Sequence, residues 1–481
     1  MSAEWERGGH VPGRGRALMV LSLSLLNVFT VTAGLAVAKL TPDRHLSPQP
    51  PSVAERDLVQ AASMAIPPAD PGSGPLPDAS TLAGRLSGII GGPRAKMNAV
   101  VIDVATGRSL FERQADRPAT PASTTKLVTS VAALASLGPA YRITTQVVQG
   151  GGGRIVLVGG GDTTLTALPP RPEAGHPSWA SLQELAQQAA AALKASGVQQ
   201  VRVDYDVSAY EGPRMAAGWK PNYVPDGEVA PVAALMVDEG RVSPGDPSKR
   251  SRVSDPPSAA AKLFARFLSE SGVSAKPGRR TVAPDGAAQI GAVQSPPMSA
   301  LVEHLMTESD NDVAEAVARQ VAINQGRPPT FADSAQAVVQ TLAGMGVTTG
   351  IALNDGSGLS TRNRITPKAL AEIVSLAASE DHPELRSAIT GLPVAGFSGT
   401  LSPPRFTSAL SQPGVGTVRA KTGTLAGVST LAGLAQDADG RLLAFAFMAG
   451  DGEGPVDPGK LDRLAAVVAA CGCGNAPSAG G

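Results

Sequence analysis

A serine and a lysine stand three positions apart at the predicted start of a helix. The stretch reads Pro121-Ala-Ser-Thr-Thr-Lys126, and apolar residues follow it at helical spacing. Thr120 is a candidate N-cap, and Pro121 suits the first helical turn. Because residues i and i+3 lie on one face of a helix, Ser123 and Lys126 are expected to touch. A lysine that has lost its proton is a base, and a serine beside a base is a nucleophile.

Two further motifs supply groups that such a nucleophile needs. Ser309-Asp310-Asn311 interrupts a helical stretch between residues 295 and 325. Three small polar residues compete there for backbone hydrogen bonds and favour a helix-to-loop junction that faces a cleft. Lys421-Thr422-Gly423-Thr424 leads into a predicted strand near the C-terminus. Each motif alone is common by chance, but S-x-x-K, S-x-N and K-T-G in this order are typical of β-lactamases and penicillin-binding proteins.

The residue types in these motifs suit acyl transfer at an amide. Because the motifs contain no histidine, Lys126 is the predicted base for Ser123, as in the Ser-Lys variant of the Ser-His-Asp arrangement. Burial and the like charge of Lys421 are both expected to lower the pKa of Lys126. Ser309 can relay the proton to the leaving amine, and Asn311 can hold the substrate backbone.

The C-terminal motif predicts a site for a terminal carboxylate. Lys421 provides one positive charge, and Thr422 and Thr424 flank it with hydroxyl donors. Along a strand, Lys421 and Gly423 face one side and the two threonines face the other. All of them reach one cleft only where the strand twists or bulges, which Gly423 permits.

The chain resembles the D-alanyl-D-alanine carboxypeptidase/endopeptidase family of class C low-molecular-weight penicillin-binding proteins. The resemblance implies an α+β fold, in which a transpeptidase/β-lactamase-like domain (an antiparallel sheet flanked by helices) is interrupted by a mixed or mostly β insertion. The stretches that carry it are Pro121–Lys126, Gly159–Leu165, Tyr205–Tyr210, Gly218-Trp219, Asn354–Ser360 and Arg419–Thr424.

The resemblance also implies a role for each motif residue. Ser123 is the acylated nucleophile, and its backbone N–H forms an oxyanion hole with that of Thr424. Family members read the free amino end of a diamino-acid side chain with an acidic residue of the insertion. Asp206 is the candidate here, and an ordinary turn aspartate is the alternative. The implied catalytic set is Ser123, Lys126 and Ser309, and the substrate-binding set is Asn311, Lys421, Thr422, Gly423, Thr424 and Asp206.

The N-terminal region contains a charge-free run from Ala17 to Ala38. This run is long enough to cross a bilayer as a helix, and the arginines before it place the N-terminus in the cytoplasm. Ala36-Val37-Ala38 is also an acceptable cleavage site, so an uncleaved anchor and a cleaved signal both stay open. Either one exports the rest of the chain.

Six segments follow from these patterns. The insertion is expected to hold short strands and one Ala-rich helix near residues 181–196, and the linker is rich in proline. The segments are an anchor or signal (1–40), a disordered linker (41–80), the first part of the transpeptidase-like domain (81–140), the insertion (141–295), the second part of the transpeptidase-like domain (296–472) and a flexible tail (473–481).

Composition narrows the possible functions. Basic and acidic side chains balance at 41 each, which argues against a nucleic-acid binder or a polybasic membrane-surface protein. Cys471 and Cys473 are the only cysteines, and no second pair or histidine completes a zinc pattern. A strained disulfide, a labile metal contact and no role at all stay open for them. The predicted chemistry requires no metal or cofactor.

The sequence therefore predicts a serine-type D-Ala-D-Ala carboxypeptidase or DD-endopeptidase outside the cytoplasmic membrane. It would act on peptidoglycan stem peptides through an acyl-enzyme on Ser123, and β-lactams would acylate the same serine. The alternatives are a β-lactamase-type hydrolase, a non-catalytic cell-wall-binding protein and a membrane-anchored structural protein.

Overall fold

A computed structural model describes residues 74–92, 95–169, 179–246, 248–450 and 454–472. In these ranges no helix combines the length and the apolar character needed to cross a bilayer. The predicted anchor or signal segment, most of the linker and the predicted tail with Cys473 lie outside the described residues.

The strands of the described chain are short, and most belong to two five-stranded sheets. In chain order they are β1 (Met97–Asp103), β2 (Ser109–Arg113), β3 (Thr144–Gly151), β4 (Arg154–Val158), β5 (Gln200–Asp206), β6 (Ser274–Arg280), β7 (Gln289–Gln294), β8 (Ile351–Ala352), β9 (Arg364–Ile365), β10 (Val418–Leu425), β11 (Val428–Gln436) and β12 (Leu442–Gly450).

The α-helices of the same ranges include one of only five residues and several of three turns or more. They are α1 (Ala79–Ile90), α2 (Thr125–Leu137), α3 (Leu182–Ala195), α4 (Pro256–Glu270), α5 (Met298–Glu308), α6 (Asn311–Asn324), α7 (Phe331–Gly344), α8 (Pro367–Ala378), α9 (Arg386–Thr390) and α10 (Pro458–Ala469).

The first sheet is antiparallel, with strand order β10-β11-β12-β1-β2. Every residue of β1 and nearly every residue of β11 and β12 is buried, because helices cover both faces of this sheet. Phe445 and Phe447 point to the face that α1 and α10 cover. Ala446 and Met448 point to the face that α8 covers, in a core to which α2 and α5 also contribute. This confirms the predicted antiparallel sheet flanked by helices.

The second sheet has strand order β6-β5-β4-β3-β7, and its strands all lie between Thr144 and Gln294. The pairs with β3 are antiparallel, whereas β4–β5 and β5–β6 are parallel, so the sheet is mixed. Two helices, α3 and α4, pack with it around a separate core that includes Leu185 and Phe264.

Helix α4 corrects the prediction of a single helix in this part of the chain. Its buried residues Ala260, Ala261, Phe264, Ala265 and Leu268 recur at helical spacing, so the amphipathic signal is present in the sequence. Pro256 and Pro257 begin it and resemble a loop signal. They occupy the first helical turn, where proline is well tolerated.

Candidate active site

Ser123 lies in a short 3₁₀ turn, Ala122–Thr124, that precedes α2. The predicted α-helix therefore begins later than Pro121, and Thr120 does not cap it. Ala122 has a φ of 48°, which turns the chain just before the serine. Around the turn, the neighbours of Ser123 are buried, while Ser123 itself stays partly exposed and lines the cleft.

The Lys126 ammonium group contacts three oxygen atoms. Its Nζ lies 3.1 Å from Ser123 Oγ, 2.7 Å from Asn311 Oδ1 and 2.8 Å from the backbone oxygen of Ser357. Asn311 Nδ2 donates to the Glu228 backbone oxygen, which orients Oδ1 toward the lysine. A neutral amine has two N–H bonds and one lone pair. Because Asn311 Oδ1 and the Ser357 oxygen can only accept, they take the two N–H bonds and leave the lone pair for the Ser123 hydroxyl.

The electrostatic environment makes Lys126 a usable base. Burial is the main cause that lowers its pKa to about 8, and the charges of Asp310, Asp355 and Glu315 act in the opposite direction. The pKa of Lys421 lies well below its usual value because the side chain is buried and, second, because Lys126 is near. The charge of Lys421 is therefore not among the main causes that set the pKa of Lys126, contrary to the prediction, and the like-charge effect lowers the pKa of Lys421 instead.

Ser309 stands at the junction between α5 and α6, as the sequence predicts for this motif. It adopts a left-handed conformation with φ 61°, which ends α5 and turns its side chain into the cleft. Lys421 Nζ donates to Ser309 Oγ over 2.8 Å. Because Ser309 accepts this bond, its own hydroxyl hydrogen is free to be given to a leaving group.

The strand alternation expected for β10 is present in the structure. Thr422 and Thr424 line the cleft, whereas Lys421 and Gly423 are buried on the other side. Lys421 thus stands behind Ser309 rather than in the open cleft. The Thr424 hydroxyl can meet a substrate carboxylate directly, whereas the Thr422 hydroxyl, which donates to Thr400 Oγ1 at 2.8 Å, must turn to do so. The lysine charge lies behind both.

Gly423 allows β10 to approach the nucleophile. A Cβ atom at this position would lie 3.0 Å from the Ser123 backbone nitrogen and 2.8 Å from the Pro121 oxygen. Only glycine fits this approach, so the strand edge and the Ser123 N–H stand side by side. The oxyanion hole formed by the N–H groups of Ser123 and Thr424 stays a prediction, which this approach supports.

Asp206 does not reach the cleft. It lies at the end of β5, where it is buried, and its two carboxylate oxygens accept from the backbone N–H groups of Ser208 and Ala283, each over 2.7 Å. The alternative of a turn aspartate accounts for these contacts. The amine-reading role has no geometric support at this residue.

Sequence reasoning missed a charged wall of the cleft. Its residues come from the predicted insertion and from α5, and no motif marks them. In the described chain, the ionisable side chains that line the cleft beside the three motifs are Glu228, Glu239, Arg241, Arg250, Arg252, His304 and Glu308.

Two side chains of this wall, together with Asp310 of the second motif, could hold a cation. One ligand atom from each of Glu239, His304 and Asp310 lies within 4.8 Å of the others. Arg241 already donates to Glu239 Oε2 from both Nε and Nη2, at 3.0 and 2.7 Å. Burial and the charge of Asp310 raise the pKa of Glu239 to about 8. Arg241 and a proton on Glu239 already balance much of the negative charge of the two carboxylates, so the cluster suits a bound proton better than a divalent ion.

Comparison with known proteins gives consistent matches. The family described as D-Ala-D-Ala carboxypeptidase 3 (S13) matches residues 82–250 and 245–470. Carboxypeptidase DacB of Mycolicibacterium smegmatis is 38% identical over 98% of this chain and 99% of its own length. A carboxypeptidase of Mycobacterium tuberculosis is 37% identical over 89% of each chain. The crystal structure of penicillin binding protein 4 (DacB) from Haemophilus influenzae has a TM-score of 0.64 at 22% identity and covers 81% of this chain and 98% of that one.

Proposed function

Because the chain belongs to the D-Ala-D-Ala carboxypeptidase 3 (S13) family, we propose that Ser123 removes the terminal D-alanine from peptidoglycan stem peptides. The protein is a serine peptidase of the hydrolase class, in keeping with its carboxypeptidase relatives. The observation that carries the assignment of Ser123 is the set of contacts around Lys126. They leave the lysine lone pair directed at the serine hydroxyl and at no other group.

Acylation begins when Ser123 Oγ attacks the carbonyl carbon of the penultimate residue and passes its proton to Lys126 Nζ. The tetrahedral intermediate carries an oxyanion, which the Ser123 N–H can stabilise. The intermediate collapses as the C–N bond breaks, and Ser309 gives its hydroxyl proton to the departing D-alanine amine. Lys421 then transfers a proton to the Ser309 oxygen over the 2.8 Å contact already present, while the proton taken from Ser123 stays on Lys126. Water attacks the acyl carbon, the ester C–O bond breaks, and Lys126 returns its proton to Ser123 Oγ. The proton lost by the water restores Lys421.

The substrate carboxylate is assigned to the hydroxyl groups of Thr422 and Thr424. Both side chains line the cleft beside Ser123. Asn311 borders the same cleft, although its side-chain atoms are engaged by Lys126 and by the Glu228 backbone. Asn311 therefore acts on the base as much as on the substrate.

β-Lactams are proposed to acylate Ser123, because they present a strained amide to the same nucleophile. The penicillin binding protein 4 of Haemophilus influenzae, whose fold this chain shares, has been solved as a complex with a β-lactam, at a TM-score of 0.59 to this chain and 21% identity. Incubation with a fluorescent penicillin should give a stable label on the wild-type protein and none on Ser123→Ala. Rapid turnover of the drug would instead support a β-lactamase.

The peptidase activity has its own test. D-Alanine release from a pentapeptide should occur with the wild-type protein and stop in Ser123→Ala. A cross-linked muropeptide dimer, supplied in parallel, separates carboxypeptidase from endopeptidase action. Absence of both penicillin labelling and D-alanine release in the wild-type protein would contradict the proposed function.

We also propose that the protein acts outside the cytoplasmic membrane, where its substrate is located. The charge-free run from Ala17 to Ala38 supports this location, whether it is cleaved or not. Fusion of residues 1–40 to an alkaline phosphatase that is active only after export should give an active reporter. N-terminal sequencing of the mature protein would then distinguish an anchor from a cleaved signal.

A further inference from the structure

One face of α6 serves the catalytic lysine twice. Asn311 is the first residue of this helix, and Glu315 follows it four positions later, so that both lie on one face. Asn311 Oδ1 contacts Lys126 Nζ directly. Glu315 is buried and points to the loop of residues 356–358, in which the Ser357 backbone oxygen is the other acceptor of the lysine.

The Glu315 carboxylate holds that loop by its backbone. Oε1 accepts from the N–H of Ser357 at 2.8 Å and of Gly356 at 3.1 Å, and Oε2 lies 3.2 Å from the Gly356 nitrogen. The oxygen of the same Ser357 residue accepts from Lys126 Nζ at 2.8 Å. Ser357 therefore contacts the Glu315 carboxylate through its N–H and the Lys126 base through its backbone oxygen.

The loop has no room to move toward either neighbour. A Cβ atom at Gly356 would lie 2.7 Å from Ala318 Cβ on α6, and one at Gly358 would lie 1.9 Å from the backbone oxygen of Ala122. The loop is thus wedged between α6 and the turn that carries the nucleophile. A shift of its backbone would move the Ser357 oxygen relative to Lys126.

Resting on the proposed function, we propose that Glu315 is a positioning residue of the acylation step, which fixes the Ser357 oxygen on one N–H of Lys126. With Asn311 on the second N–H, the lone pair of the neutral lysine has Ser123 as its remaining partner. Without the carboxylate, the N–H groups of Gly356 and Ser357 lose their acceptor, and the lysine samples orientations in which the lone pair points away. The nucleophile is unchanged, but the base is misdirected.

The charge of Glu315 gives the proposal a second measurable consequence, a change in the pH at which Lys126 titrates. Arg319 Nη1 lies 3.7 Å from Glu315 Oε2, and Asp355 and Lys126 act on it from the loop and from α2. Burial raises the pKa of Glu315 to about 7, and the charge of Asp355 adds to this shift. When ionised, Glu315 raises the pKa of Lys126, as do Asp310, Asp355 and Asp312. Loss of this charge should therefore make Lys126 titrate at a lower pH.

The test compares Glu315→Gln with Glu303→Gln in the full chain. Glu303 is an exposed glutamate on α5, so its substitution is the matched control. The rate of acylation by fluorescent penicillin is measured from pH 6 to pH 10 for each protein. Glutamine keeps one oxygen that can accept from both N–H groups, as Oε1 does in the wild type, but its NH₂ group then faces the Gly356 N–H as a donor opposite a donor.

For Glu315→Gln we expect the alkaline plateau of the rate to fall roughly 10- to 100-fold. The rising limb of the profile should move to lower pH, which a merely destabilised protein would not show. Glu303→Gln should match the wild type in both respects. A Glu315→Gln plateau within twofold of the wild type overturns the inference, while a wild-type protein that takes no label contradicts the proposed function itself.

Glu315→Asp keeps the test decisive if the glutamine variant does not fold. This variant retains the charge but shortens the side chain by one methylene group, so it withdraws the carboxylate from the Ser357 N–H. We expect a lower plateau with the rising limb unchanged. A wild-type plateau in this variant would overturn the positioning role.

Discussion

Lys126 is the residue whose protonation controls the proposed reaction. Its pKa of about 8 results mainly from burial, and only the neutral form can accept the Ser123 proton. The acylation rate is therefore expected to rise about tenfold per pH unit below pH 8 and to level off above it. Stopped-flow acylation with a fluorescent penicillin from pH 6 to pH 10 would show this limb. A rate that keeps rising up to about pH 10.5, the usual pKa of lysine, would contradict the prediction.

A charge-conserving variant provides the control for this profile. Lys126→Arg keeps the positive charge but cannot lose its proton in the working range. Its acylation rate should fall by at least roughly 100-fold at every pH and lose the limb at about pH 8. A limb that persists in this variant would belong to another group.

At the residue scale, the sequence predicts the side chains that are proposed to perform the chemistry but not the groups that orient them. Ser123, Lys126 and Ser309 stand in motifs whose spacing has a chemical reason. The Ser357 oxygen is a backbone atom, and any residue type supplies one, so no pattern marks it. Asp206 shows the converse case, because a lone acidic residue in a strand end has the same appearance whether it binds a ligand or two backbone N–H groups.

At the element scale, the start of α6 joins helix capping to catalysis. Asp310 Oδ1 accepts from the Val313 N–H at 2.8 Å and so caps the helix whose first residue is Asn311. Asp310→Ala should lower the free energy of unfolding by about 1 kcal/mol. It should also reduce the plateau rate of acylation by at least roughly tenfold, because the backbone at Asn311 is no longer held in place and its side chain no longer orients Lys126. Denaturant titration and penicillin labelling above pH 9 measure the two effects.

A second capped helix separates the two effects. Thr330 caps α7 by accepting from the Asp333 N–H at 3.1 Å, and α7 does not border the cleft. Thr330→Ala should lose a similar free energy of unfolding and keep the acylation rate within twofold. If both variants keep the wild-type rate, the start of α6 does not position Asn311.

The elements themselves differ in how clearly the sequence predicts them. Strand β12 is a continuous apolar run, and its burial between two helical layers matches that pattern. The segment before α2 departs from a helix because Ala122 turns with a positive φ, and alanine gives no warning of such a turn. Tertiary contact with β10 and the Gly358 loop stabilises it there, which no local propensity can anticipate.

At the scale of the whole molecule, the segment that contains the second sheet, residues 141–295, also contributes most of the charged wall of the cleft. The Glu228 backbone oxygen orients Asn311, and Arg252 Nη2 pairs with Asp312 Oδ2 on α6 at 3.1 Å. Both partners of this pair are buried. The charged wall thus contacts α6 through an ion pair as well as through a backbone oxygen. Removing the ion pair tests how strongly the wall stabilises this helix.

Arg252→Met should lower the free energy of unfolding by roughly 3–5 kcal/mol at pH 8, because it leaves a buried carboxylate without its partner. Burial raises the pKa of Asp312 to about 7 and Arg252 lowers it, so the variant raises it further. A folded-state pKa above the unfolded value loses stability as pH rises toward it, so the loss should be smaller at pH 6 than at pH 8. Arg266→Met, which breaks the exposed Arg266–Glu270 pair on α4 outside the cleft, should cost little and keep the acylation rate. Thermal unfolding at the two pH values, with penicillin labelling in parallel, tests this, and an equal loss at both would mean that Asp312 does not titrate with the pair.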